Sequence, residues 1–139
     1  MGNLPEKAKK ATAILLAIVG EAGDIYGAHL QALASDNKRN YDWMQGHIRD
    51  LGFPMMWGAL SHFVSKNKAV QRLFAYTPMA IGTLNEFHDA SVGNSNYVDW
   101  TDITVYWLGA AAGRLGPNIA SKVSESLQEA VFKNSYIRK

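Results

Sequence analysis

The sequence predicts an all-α protein: a four-helix bundle of membrane or membrane-inserting type, closed by an amphipathic C-terminal helix. Three observations carry this. Apolar residues recur at helical spacing through four long segments, and the one strand-like alternation, at 101–107, lies inside a better helix. Glycines fall in stripes within those apolar runs. Basic residues sort to alternate connections between segments.

The first segment runs over about 5–34. Pro5 suits an opening turn, Lys7, Lys9 and Lys10 follow, and an apolar run occupies 11–20 before Glu21, Asp24 and His29. A polar stretch, 35–40, leads to the second, about 41–65, in which Pro54 is expected to kink or restart the helix. The third covers about 68–89, meets Pro78, and ends on Glu86-Phe87-His88-Asp89. Gly93-Asn94-Ser95-Asn96 reads as a loop. The fourth covers about 100–132. Asp99 or Thr101 can cap it, and a break is expected near 116–117, at Gly116-Pro117, before the amphipathic tail.

With 139 residues the chain is one domain, 1–139. Apolar residues make up 47% and charged residues 19%, below the roughly 25% of an ordinary soluble domain, which excludes disorder. The absence of cysteine excludes disulfides, thiolate metal sites and a cysteine nucleophile. A net charge of +2 is too small for a dedicated nucleic-acid binder, so no specific nucleic-acid binding is expected.

A membrane-spanning helix needs about 20 largely apolar residues. The uninterrupted runs here are shorter and the mean hydropathy is −0.14, which on its own favours a soluble bundle. Charge placement argues the other way. If the four segments alternate across a membrane, one side receives Lys7, Lys9, Lys10, Lys66, Lys68, Arg72, Arg114, Lys122, Lys133, Arg138 and Lys139. The other side receives Lys38, Arg39 and Arg49, and the connection after the third segment carries only acids, Glu86, Asp89, Asp99 and Asp102. That is the asymmetry of the positive-inside rule. Trp57, Trp100, Trp107, Tyr97 and Tyr106 lie near segment ends, where interfacial aromatics belong. The opening basic and apolar stretch imitates a signal peptide cleaved after Ala22, and is read here as a retained helix.

Gly109 and Gly113 form a small-xxx-small motif extended by Gly116, and Gly20, Gly23 and Gly27 form a second stripe. Glycine costs roughly 1 kcal/mol in a helix interior, so these six are expected to pack helices backbone to backbone, within the chain and between copies. The acids and histidine set into apolar helices are the candidate polar cluster: Asp24, His62, Glu86, Asp89 and Asp102. A buried carboxylate is costly unless paired, so these should meet across the bundle or line a wet cavity. No catalytic constellation, metal-ligand spacing or cofactor motif accompanies them. His88 is expected to face away from Glu86 and Asp89, and Gly20-Glu21-Ala22-Gly23 follows no strand. Catalytic residues, metal and cofactor are therefore all expected to be none.

Between Met79 and Gly113 the order of residues resembles the C-terminal half of the VanZ-like and YfiM-like small envelope proteins. Gly82 is followed by Glu86-Phe87-His88-Asp89, a short glycine-containing loop, Asp99-Trp100-Thr101-Asp102, and then Gly109 and Gly113. His62-Phe63 matches the histidine of an earlier helix, so the resemblance covers residues 62–116. The chain departs from it at Tyr106, where the VanZ-like pattern has Asn, and in lacking a lipoprotein cysteine. The resemblance implies a small helical membrane protein with a joined acidic and histidine cluster.

The expected function is that of a small bacterial envelope-membrane protein, homo-oligomeric, structural or pore-like, of a kind that suits a phage virion protein ejected into the host envelope. Expected partners are the lipid membrane, further copies, and another envelope or virion protein. Two alternatives stand beside it: a soluble helical module docking a partner protein or lipid-like ligand, and a membrane enzyme or transporter using the acidic and histidine cluster.

Overall fold

Three of the helices begin where a side chain takes an orphan amide of the first turn: Asn3 before the first, Asn67 before the third and Asp99 before the fourth. In a computed structural model, which describes residues 3–37, 43–93 and 98–137, the helices are α1 (Leu4–Asn37), α2 (Trp43–Val64), α3 (Lys68–Ser91) and α4 (Trp100–Ile137). Asn67 Oδ1 accepts from the Ala69 amide at 2.8 Å, and Asp99 Oδ1 from the Thr101 amide at 2.9 Å, so Asp99 rather than Thr101 caps α4. Gly93, at φ 79°, lets the chain leave α3. No strand occurs among the described residues. The expected helix start at Tyr41, the loop residues Asn94 to Asn96, Tyr97, Lys38, Arg39, Arg138 and Lys139 lie outside them.

No proline ends a helix: the restart expected as one outcome at Pro54 and the break expected near 116–117 do not occur. Pro54, Pro78 and Pro117 all lie inside continuous helices, and α4 runs through 116–117 without a stop. Tertiary packing overrides the local cost: Pro54 and Pro117 are buried, and neighbouring side chains serve the disturbed backbone. Thr77 Oγ1 donates to the Leu73 carbonyl at 2.7 Å just before Pro78. Asn118 Nδ2 and His62 Nε2 both donate to the Arg114 carbonyl, at 3.1 and 3.0 Å, beside Pro117.

The central element is α2, which packs on α1, α4 and α3, while α1 and α3 are not neighbours. Small residues make these approaches possible. A methyl group on Gly20 would sit 2.6 Å from the Gly52 carbonyl oxygen, and one on Gly58 2.6 Å from that of Ala110. Methyl groups on Gly109 and Gly113 would overlap the Leu51 and Met55 carbonyl oxygens. Gly23 and Gly27 face Ile48, Gly52 and Arg49, and Gly116 faces Leu16. Both stripes are thus occupied within the chain, each mainly by α2. The partners Gly52 and Gly58 escaped the sequence reading because they are not spaced as a small-xxx-small pair.

The interior is made of small side chains and the exterior of large ones. Ala13, Ala59, Ala75, Ala110 and Ser61 are fully buried, with Met79 and Ile103 as the large apolar residues of the core. Among the described residues twenty-seven large apolar side chains are exposed, Leu73 at 73% and Leu84 at 67% among them. Water-soluble chains hide such residues in preference to alanine, so the outer surface is the anomaly. α1 is the one helix among the described residues long and apolar enough to cross a membrane, over Leu4–Leu33, and only 17% of its apolar window is buried. Stretches free of Asp, Glu, Lys and Arg, at 11–20, 51–64, 73–84 and 103–113, form an apolar belt. The longest is about 20 Å at 1.5 Å per residue. Acidic residues gather beyond one rim of the belt and basic residues beyond the other.

Candidate functional site: a polar cleft at the acidic end

Because α2 runs parallel to α4 and antiparallel to α1 and α3, the second half of α1, the first turns of α2 and α4 and the last turns of α3 share one end. Cross-helix polar contacts tie them together there. Arg49 Nε donates to Asp24 Oδ1 at 3.1 Å and Arg49 Nη1 to Gln31 Oε1 at 3.3 Å, joining α2 to α1. His47 Nδ1 lies 3.3 Å from Asp102 Oδ1, joining α2 to α4. The Tyr106 hydroxyl donates to Glu86 Oε1 at 3.5 Å, joining α4 to α3. Gly82 makes that last contact possible, since a methyl group there would meet the Tyr106 ring at 2.8 Å.

Asp50 follows His47 by one helical turn and so shares its face. Burial, reinforced by the Asp102 charge, lifts the Asp50 carboxyl from the ordinary 3.8 to about 6, with His47 and Arg49 opposing. Asp102 is raised by burial and then by Asp99, and Glu86 by burial and then by Asp102 and Asp99. Among the described residues this end holds more carboxylates than Arg49 alone can offset, and the raised Asp50 carboxyl is the group that most readily keeps a proton.

A cleft of about 340 Å³ opens here, lined by Asp24, Arg49, Asp50, Asn85 and Tyr106 on its polar side and by Pro54, Pro78 and Ile81 on its apolar side. It offers a carboxyl able to exchange a proton near neutral pH, a guanidinium and a phenol. One ligand atom each from His47, Asp50 and Asp102 comes within 4.8 Å of the others, close enough for one divalent cation to bridge. A grouping of this kind at a partly exposed polar end does not by itself make a metal centre.

The expected cluster is therefore divided. Asp24, Glu86 and Asp102 meet at the acidic end. Asp89 is peripheral, its carboxylate 3.6 Å from His88 Nδ1 on a half-exposed edge. His62 lies near the end of α2 at the opposite, basic end, where Nε2 donates to the Arg114 carbonyl. Arg49 and Asp50 line the cleft and His47 stands beside Asp102 at the same end; all three were missed as functional candidates. The signal available was His47 and Asp50 at i, i+3 with an intervening arginine, a pattern too common to be read as a site without its tertiary partners. Compared with known proteins, the chain matches no family model, no curated protein and no solved structure.

Proposed function

We propose that this chain is a small membrane-embedded helical protein of a cell envelope, structural in role, with its apolar belt facing hydrocarbon and its charged ends facing water. The observation that carries the reading is the inverted side-chain distribution: alanine and glycine inside, leucine, isoleucine, valine and tryptophan outside. Lipid removes the penalty for that surface, and small-residue contacts supply helix association where hydrophobic exclusion cannot. The basic and acidic rims add the expected orientation, basic end toward the cytoplasm. The order Gly82, Glu86, Asp102, Gly109, Gly113, which resembles the VanZ-like pattern, is in keeping with this reading.

A belt of about 20 Å is thinner than the roughly 30 Å hydrocarbon core of a bilayer. Such a mismatch is met by local thinning or by association of copies, which leaves room for oligomers built through the outer faces. It also suits a chain that leaves a protein shell for a membrane, as a virion protein delivered to a bacterial envelope does. The helix seams within one chain are filled by backbone contacts, so a pore would have to form between copies.

Flotation of the purified chain with lipid vesicles tests the proposal. Co-flotation that survives high salt, together with detergent-dependent solubility, is the expected result. A monodisperse monomer in aqueous buffer that stays at the bottom of the gradient contradicts it. One observation favours a second reading, a helical docking module: Ile119, Val123, Leu127 and Val131 form an exposed i, i+4 stripe along the α4 tail. Truncation after Ile119 separates the two, because the embedded bundle retains vesicle binding and the docking module loses its partner surface.

A further inference from the structure

We propose that two adjoining cavities at the basic end form one site for an anionic phospholipid, its phosphate among the cations and an acyl chain along the neighbouring apolar groove. The first cavity, of about 660 Å³, lies where the start of α1, the first turn of α3 and the middle of α4 meet. Lys9, Lys68, Arg72, Arg114 and Lys122 line it, against one carboxylate, Glu6, which is 3.8 Å from Lys10. Among the described residues none of these five cations has a carboxylate within ion-pair distance, whereas Arg49 at the other end has Asp24.

Arg114 is held in place and still has donors to give. Its Nη2 donates one hydrogen to Gln71 Oε1 at 3.3 Å and keeps a second, whereas its Nε is buried beyond reach of a ligand. Nη1 is 3.4 Å from His62 Nε2, but that nitrogen carries its proton toward the Arg114 carbonyl and cannot accept. The N-terminal end of α3, with its positive dipole, begins at Lys68 in the same cavity. An arginine fork, several lysines and a helix start in one concave site fit a phosphate group.

The second cavity, of about 520 Å³, shares Arg72 and Tyr76 with the first and continues over Leu73, Met79, Ala80 and Trp107 on the outer face of α3 and α4. A charged chamber that opens into an apolar groove along the belt matches a molecule with a phosphate head and a hydrocarbon tail. Supply of that molecule from a bilayer rests on the membrane reading above. Its capture as a monomeric short-chain lipid does not.

The test titrates dihexanoyl phosphatidic acid into the full-length chain, in whichever medium keeps it monodisperse, and follows tryptophan fluorescence against Trp107→Phe. The expected result is a saturable, Trp107-dependent change, with binding about tenfold weaker for dihexanoyl phosphatidylcholine and for the Lys68→Gln/Arg72→Gln variant. Inorganic phosphate should compete without producing the Trp107 signal. Lys122→Gln is a second, exposed probe, expected to weaken binding severalfold, and circular dichroism checks that each variant stays helical. Equal affinity for both lipids, or unchanged affinity in the variants, overturns the proposal. So does phosphate binding without lipid binding, which marks a free-phosphate site, or variant-sensitive retention of short duplex DNA. A chain that fails vesicle flotation yet passes this titration would refute the membrane reading and leave the lipid site standing.

Discussion

The two ends of this bundle are built from similar numbers of charges and resolve them in opposite ways. At the acidic end polar side chains meet across helices: Arg49 donates to Asp24, His47 lies beside Asp102, and Tyr106 donates to Glu86. At the basic end Lys9, Lys68, Arg72, Arg114 and Lys122 converge on a cavity with no such partners among the described residues. The first arrangement holds helices to one another. The second leaves positive charge that no carboxylate among the described residues pairs with, and it is there that we propose a ligand binds.

Separating the helices that connect the two ends should have the largest effect. Gly113→Leu places a side chain against the Met55 carbonyl and the Ala59 amide, and is expected to cost about 3 kcal/mol or more, read as loss of cooperative thermal unfolding. Next in size, Arg49→Ala leaves Asp24 and Gln31 without their donor, and a loss of about 1 kcal/mol in chemical denaturation is expected for this part-exposed pair. Lys68→Gln/Arg72→Gln should by contrast leave stability unchanged or raise it slightly, because the substitution removes repulsion and breaks no ion pair. Destabilisation equal to that of Arg49→Ala would erase the distinction between the ends.

Acidity offers a finer probe. The Asp50 carboxyl is raised in the fold, so it holds its proton there where the unfolded chain has lost it. Its contribution to stability is present below about pH 4 and is lost as pH rises to about 6, a fall on the order of 1 kcal/mol after allowing for solvent screening. Asp50→Asn should flatten that part of the stability profile. Smallest of all, Tyr106→Phe removes a 3.5 Å hydrogen bond to Glu86 and should cost under about 1 kcal/mol in the same denaturation assay.

Much of the fold was legible in the sequence, and the reasons are local. Helical periodicity gave four helices, Asp99 announced a cap, and the glycine stripes announced close approach. Pro117 misled as a helix stop because its cost is local while the packing that overrides it, around Gly113, is tertiary. The acidic end was half legible: Asp24, Glu86 and Asp102 stand out as charges in apolar helices, whereas His47, Arg49 and Asp50 sit in an ordinary amphipathic turn. His62 was grouped with the acids by residue type, although the alternation that puts Lys66 and Lys68 at the basic end puts the end of α2 there too. The parallel course of α2 and α4, which sends His62 to Arg114, is set by connectivity and by the Gly58 contact with Ala110.

The chain contains no cysteine, so single spin labels can be introduced without a background. Labels at Leu73→Cys, Leu84→Cys and Leu108→Cys sample the belt, and one at Lys122→Cys samples the basic end. In lipid vesicles the three belt labels should relax with dissolved oxygen and be shielded from a water-soluble nickel chelate, with the reverse at position 122. If the belt labels meet the chelate as freely as position 122 does, the leucines face water and the account of this surface is wrong.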